Sequence, residues 1–269
     1  MTLNRTVSAR LEIDVEVPTR LALQVAVADP AAHDAHETTR MTVDGADLAW
    51  SELPAPHGGR IWLIDSPQGK VEIAYRADLQ SAPGPPTVEA DDELVYLRPS
   101  RYCESDRLAG FAARQFHHID HPHDILAAVS SWVGTELDYM PGSSGPTDGA
   151  VDTLLEGKGV CRDYAHLAVA LLRALDIPAR VVAVYAPGLD PMDFHAVAEA
   201  LIDNAWYVVD GTLLAPRKSL ARIATGRDAA DTSFLSAYHG NATLVAVTVT
   251  STVSGNLPSE DVNTLVQLN

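Results

Sequence analysis

Cysteine is almost missing from this chain: 269 residues hold two, Cys103 and Cys161. Two thiols cannot build the disulfide framework of a small secreted scaffold, and a chain of this length does not need one. Basic residues are also scarce, with 19 Lys and Arg against 36 Asp and Glu and a formal net charge of −17. A surface of that sign repels phosphate backbones and anionic lipid, so neither nucleic acid nor a membrane is an expected partner. No run of about 18 apolar residues occurs, so no spanning helix is predicted. The opening stretch MTLNRTVSARLEIDVEVP has no apolar signal core, and a reducing, cytoplasmic setting is the expectation. There a lone cysteine is free to be a thiolate. Phosphate loops, dinucleotide fingerprints and calcium loops are absent too, and no cofactor is expected.

What is present is enough apolar matter for a core, 46% hydrophobic against 20% charged, which excludes wholesale disorder. In TVSARLEIDVEV the odd positions Val7, Ala9, Leu11, Ile13, Val15 and Val17 are apolar and the even ones polar. That period of two predicts a strand with one wet face. Leu21, Leu23, Val25 and Val27 continue it. RIWLIDSPQGKVEIAYRADL predicts two strands joined as a hairpin through Ser66-Pro67-Gln68-Gly69. SAPGPP, Ser81 to Pro86, is a stiff connector, and ELVYLRPS reads as strand. Residues 1–100 are therefore expected to be an N-terminal β-sandwich.

Helical periods take over in residues 101–269. Asp106–Phe116 predicts a short helix, and Pro122 opens another at a position where its missing N–H costs nothing. AVDTLLEG reads as a helix stopped by Gly157. The segment after Cys161 carries an apolar stripe of Leu167, Ala168, Leu171, Leu172 and Leu175, closed by Pro178. RVVAVYAP, FHAVAEALI, WYVVD and the tail TLVAVTVTSTV read as strands. Helices against an antiparallel sheet make this half α+β, and the tail is expected to be its C-terminal strand.

Cys161 sits at the mouth of the strongest predicted helix, behind Gly157 and Gly159. Unpaired N–H groups and the macrodipole at a helix start favour a thiolate. The glycines let the backbone bend and a carbonyl approach, which makes the Cys161 N–H a candidate oxyanion donor. Arg162 adds positive potential. Position alone leaves a packed structural cysteine as the alternative, so the question passes to whether a base exists downstream.

His195, Val197, Glu199 and Leu201 share one face of a predicted strand, and Asp203-Asn204 makes a two-residue turn into the next. In that register Val197 opposes Asp210 and Leu201 opposes Trp206. Asp210 then lies on the His195 face, diagonally offset by two positions, within reach of side chains. A nucleophile at a helix start, a strand histidine and a carboxylate on the paired strand fit the logic of covalent catalysis. Alone, each of the last two residues reads as structural; together they do not.

These stretches resemble the transglutaminase-like superfamily, in its bacterial branch of transglutaminase-like and cysteine-protease-like proteins. The carriers are GVCRDYAHLAVALLRALDIPAR, DFHAVAEA and WYVVDGT, with YLRPSRYCESD, LDYMPGSS and IATGRDAADTSFL around them, over roughly residues 95–240. The resemblance implies a papain-like α+β core with a Cys161-His195-Asp210 triad, a thioacyl-enzyme, and a peptide or protein amide as substrate, with hydrolysis placed ahead of transamidation. It leaves open a binding module whose chemistry is idle. Two motifs depart from the family pattern: HAVAE stands where His-Ala-Trp is usual, and DGT where Asp-Pro-Thr is usual.

Other sites are weighed against blander readings. His117, His118, His121 and His123 with Asp120 and Asp124 could suit zinc, but the spacing matches no metal motif and a solvated loop is preferred. Cys103 is expected to be a packed thiol. Asp163 is expected to cap the helix or hold a neighbouring backbone group, and Tyr139 to be a candidate second oxyanion donor. Glu199 and Asp193 are rival orienters. Oligomeric state is not legible.

Overall fold

The computed structural model describes residues 3–80 and 84–268. The expected connector Ser81–Pro86 lies partly outside them. The first seven strands are β1 (Arg5–Val17), β2 (Thr19–Leu23), β3 (Ala35–Val43), β4 (Ala46–Asp47), β5 (Ser51–Pro54), β6 (Arg60–Ser66) and β7 (Gly69–Leu79). Helices follow: α1 (Asp92–Tyr96), α2 (Ser105–Phe116), α3 (Pro122–Glu136), α4 (Ala150–Glu156) and α5 (Cys161–Ala174). Between them lie two short strands, β8 (Asp138–Tyr139) and β9 (Lys158–Gly159). The chain closes with β10 (Ala179–Tyr185), β11 (Phe194–Ile202), β12 (Ala205–Val209), β13 (Ala221–Gly226), α6 (Ala229–Thr232), β14 (Leu235–Tyr238) and β15 (Asn241–Val253).

The N-terminal strands form a sandwich of two sheets, ordered β15-β1-β7-β3-β4 and β14-β2-β6-β5. The period of two in β1 is real: Val7, Ala9, Leu11, Ile13 and Val15 are buried, and they meet Leu21, Leu23, Trp62 and Ile64 of the facing sheet. A third sheet, β12-β11-β10-β13, has α5 laid on one face. That makes the second half α+β, as expected.

The apolar stripe predicted for α5 understates its burial. Every residue from Asp163 to Arg173 is buried, because α2, α3, α4 and the sheet enclose the helix. A helix apolar on most sides belongs in a core. Gly157 ends α4 in the left-handed region at φ 66°, the conformation glycine tolerates.

Three expectations are corrected. Ser66 to Gly69 is no hairpin: β6 pairs with β2 and β5 while β7 pairs with β1 and β3, so the turn arches between the two sheets. Turn chemistry reports a local reversal and does not say which sheet the next strand joins. ELVYLRPS is not a strand but begins as helix α1, whose Tyr96 packs edge-on to Trp206 at 5.5 Å. A short apolar run carries too few periods to separate the two states. The tail strand does not extend the α+β sheet; β15 pairs along β1 from Arg5↔Val253 to Val17↔Asn241, and β14 pairs with β2. The sandwich is therefore completed by chain that lies beyond residue 230.

Among the described residues, no helix is long and apolar enough to cross a membrane.

Candidate active site

Cys161 is the first residue of α5, half-buried, preceded by Val160 in extended conformation. The loop before it is held from two sides. β8 and β9 pair in parallel, Tyr139 opposite Gly159, and the Met140 N–H donates to the Gly159 carbonyl at 2.9 Å. Asp163 accepts from the Val160 N–H at 2.8 Å and from the Ser144 hydroxyl at 2.8 Å. Asp163 thus satisfies one of the orphan donors at the helix start, the structural role expected of it. A Cβ on Gly159 would meet the Asp163 Cβ at 2.6 Å, so this close approach requires glycine. Arg162 is committed to the same loop through the Ser144 hydroxyl and the Gly145 carbonyl.

The β11–β12 hairpin has the expected register. Leu201 opposes Trp206 and Ala198 opposes Val209. Asp203 and Asn204 turn at φ 50° and 58°, as a two-residue turn with both centres left-handed requires. The diagonal then closes: His195 Nε2 lies 3.2 Å from Asp210 Oδ2, and both side chains are almost wholly buried. Nδ1 is the ring nitrogen without a hydrogen-bond partner, and Cys161 is the remaining group that acts on the ring. Burial alone would depress the imidazole pKa. The Asp210 charge and hydrogen bond, then the nearby Cys161 sulfur, overcome it and raise it to about 10. Burial would likewise raise the Asp210 pKa, but His195 and Thr212 hold it below the usual carboxylate value. Both shifts favour an imidazolium–carboxylate pair over two neutral groups.

Sequence reasoning missed what holds Asp210. The Thr212 N–H and hydroxyl both donate to Asp210 Oδ1 at 2.8 Å, and the Ser130 hydroxyl donates to the Asp210 carbonyl at 2.8 Å. Thr212 was visible in the DGT motif as a residue able to bond its neighbour two positions back; Ser130 lies 80 residues away in sequence and left no such trace. Gly211 also acquires a reason. A Cβ there would meet Val133 Cγ1 at 2.9 Å, and one on Gly134 would meet the Gly211 carbonyl oxygen at 2.4 Å. With glycine after Asp210, α3 can press against the turn that carries the carboxylate.

Tyr139 does lie at the nucleophile. Burial, then the charge of Cys161, raise the phenol pKa to about 12, and a hydrogen bond with the Cys161 backbone opposes this. Its hydroxyl is therefore protonated and able to donate. The rival orienters fall away. Glu199 is fully buried and gripped by two guanidinium groups, Arg180 Nε at 2.8 Å and Arg222 Nη2 at 2.7 Å. Asp193 is exposed at the rim and accepts the Phe194 N–H at 2.7 Å. Cys103 is buried, and desolvation raises its pKa well above the usual thiol value. Among the described residues no group of three or more His, Cys, Asp and Glu is arranged to hold a metal ion.

A helix packed on an antiparallel sheet, with the cysteine at the helix start and the strand histidine lining one cavity, defines a papain-like α+β architecture. Comparison with known proteins agrees. The family description of the transglutaminase-like superfamily core matches residues 109–211, a stretch that contains Cys161, His195 and Asp210. A solved structure called "Putative Cysteine Protease from Cytophaga hutchinsonii" is 30% identical, superposes with a TM-score of 0.86, and covers 98% of this chain and 96% of its own. An uncharacterized protein of Mycobacterium leprae is 32% identical over 140 residues, half of this chain and 48% of that protein. One of Mycobacterium tuberculosis is 36% identical over 74 residues, 24% of its length. This chain thus spans about half the length of the first of these relatives and less of the second. The chain belongs to the transglutaminase-like superfamily.

Proposed function

We propose that the protein is a thiol-dependent amide or peptide bond hydrolase working through Cys161, His195 and Asp210. The observation that carries this reading is the buried His195–Asp210 pair at 3.2 Å, with the remaining ring nitrogen left for the sulfur. Cys161 attacks the carbonyl carbon, and the C–N bond breaks as His195 passes its proton to the leaving amine. Water, deprotonated by the then-neutral ring, cleaves the thioester and restores the thiolate–imidazolium pair. Asp210 keeps the ring oriented and stabilises its charge throughout. The Cys161 N–H and the Tyr139 hydroxyl are the donors for the developing oxyanion. No step requires a cofactor.

Transamidation is the second reading, and Asp193 favours it: its exposed carboxylate lines the cleft and could hold an incoming primary amine. Product analysis with and without added amine separates the two, since an amine adduct in place of free acid identifies the transferase. The enzyme reading itself is tested by alkylation. Iodoacetamide should modify Cys161 rapidly at pH 6–7, and His195→Ala should slow it at least tenfold there. A rate that is negligible below pH 8, with or without His195, supports an idle binding module instead.

A further inference from the structure

Cys161 and His195 open into a cavity of about 520 Å³, within the roughly 300–1,000 Å³ range of small-ligand sites. Its walls are mostly carbon. Val181 and Ala183 of β10, Ala196 of β11 and Ile223 of β13 line it, and Ala183 stands opposite Ala196 in the sheet. Two facing alanines leave a hollow that larger side chains would fill. Phe194 and Phe234 close one side, ring centroids 5.2 Å apart.

The polar groups that reach the cavity are largely committed elsewhere. The Gln24 amide donates to the Asp231 carbonyl at 2.9 Å and the Ser233 carbonyl at 3.3 Å. The Tyr102 hydroxyl donates to the Pro146 carbonyl at 3.1 Å, and Arg162 is held as described. Away from the exposed Asp193 carboxylate at the rim and from His195, a charged or strongly polar guest would leave its water shell and find few partners, while an apolar one would not.

Part of this wall comes from the sandwich side of the molecule. Gln24 follows β2, and Val247 lies on β15. Val247 is 37% exposed, and the pairing of β15 with β1 skips Val245, two residues away. Bulges of this kind re-aim side chains beside active sites.

We propose that this cavity is a specificity pocket for a bulky apolar side chain flanking the scissile amide, and that the N-terminal sandwich shapes it. The proposal rests on the amide-cleaving reading of Cys161. It names the substrate class as an unfolded or extended polypeptide segment with a Leu-, Met- or Phe-like residue next to the bond attacked. Selectivity comes from burying that side chain against Val181, Ile223 and Phe234 while the carbonyl reaches the sulfur.

The test uses internally quenched peptides that differ only at the positions flanking one amide: Phe, Leu, Gly or Asp. The full-length protein should cleave Phe and Leu peptides at least about tenfold faster, by kcat/KM, than Gly or Asp peptides. Ala183→Phe, which fills the hollow, should collapse that ratio toward one. Phe234→Ala, which widens the pocket, should shift preference toward larger side chains and guards against a misfolded first variant. Binding of the same peptides to Cys161→Ala, by calorimetry, separates the two levels of inference. Tight binding of apolar peptides without turnover by the native chain sinks the hydrolase reading and keeps the pocket. Turnover indifferent to the flanking residue, or favouring Asp, overturns the pocket and keeps the hydrolase. Neither binding nor cleavage overturns both.

Discussion

At the scale of single residues, the His195–Asp210 pair makes the clearest demands. Its ring is almost closed to water, and a carboxylate at 3.2 Å favours the charged form. Because the folded pKa of His195 is raised to about 10, its contribution to stability is whole below the unfolded value of about 6.5 and fades as pH climbs through the folded one. Asp210 is shifted down, so its contribution is present above about pH 4 and fades as pH falls through its folded value. The pair is therefore most stabilising between about pH 4 and 6.5. Asp210→Asn should lower the unfolding free energy by about 3–5 kcal/mol in that window, since it leaves a buried cation unpaired. The loss measured in urea should shrink toward pH 10. A deficit constant from pH 5 to 10 would mean that the two groups do not titrate together. The same variant should lose roughly 10²–10⁴ in kcat with little change in KM, because Asp210 acts through His195 and does not touch substrate. Thr212→Val keeps the shape and removes the hydroxyl's hydrogen bond to Asp210 at 2.8 Å with its longer contacts to His195 Nε2 and the Leu214 N–H, both 3.4 Å; about 1–2 kcal/mol of stability is the expected cost. These residues were legible only in part. Cys161, His195 and Asp210 announce themselves through chemistry and spacing. Ser130 and the two arginines around Glu199 act across the fold, where no local pattern reports them.

At the scale of elements, what could be read was what repeats. The β11–β12 register followed from a period of two and a turn with two left-handed centres, both local rules. The α5 helix followed from its stripe and its proline stop. Element α1 could not be read, since five residues carry barely more than one turn. The partner sheet of β7 could not be read either, because two amphipathic strands look alike whichever sheet they enter. The contact between α3 and the Asp210 turn is the element-level feature most exposed to mutation. Gly134→Ala would place a Cβ 2.4 Å from the Gly211 carbonyl oxygen, a backbone atom that cannot swing aside. The helix or the turn must shift, at a cost of about 1–3 kcal/mol. Displacement of the turn carries Asp210 with it. Stability and kcat should fall together in Gly134→Ala, while Gly110→Ala, where nothing lies within 4 Å of the added carbon, should preserve both. Unchanged kcat in a destabilised Gly134→Ala protein would show that α3 supports the fold without positioning the carboxylate.

At the scale of the whole molecule, the two halves suggested by composition share a core and edge strands. Tyr185, Ala221, Ile223 and Ala224, all on the α+β sheet, sit within the apolar core of the sandwich. Arg180 and Glu199 of that sheet are buried with His57 and Asp92 from the first hundred residues, the His57 and Asp92 side chains 3.1 Å apart. Each sandwich sheet also takes its edge strand from the far end of the chain, β15 beside β1 and β14 beside β2. A fragment ending at residue 100 would lose both strands, leave the outer edge of β1 unpaired over 13 residues, and expose the apolar surface that Tyr185 and Ile223 cover. Long unpaired apolar edges associate. Such a fragment should show no cooperative thermal transition by circular dichroism and should aggregate, whereas the full chain unfolds in one transition. If the fragment melts cooperatively as a monomer, the sandwich is an independent domain, and its share in the cleft wall is a docking of two finished units. If it does not, the pocket beside Cys161 forms only when both ends of the chain have folded together, and substrate selectivity is a property of the whole chain.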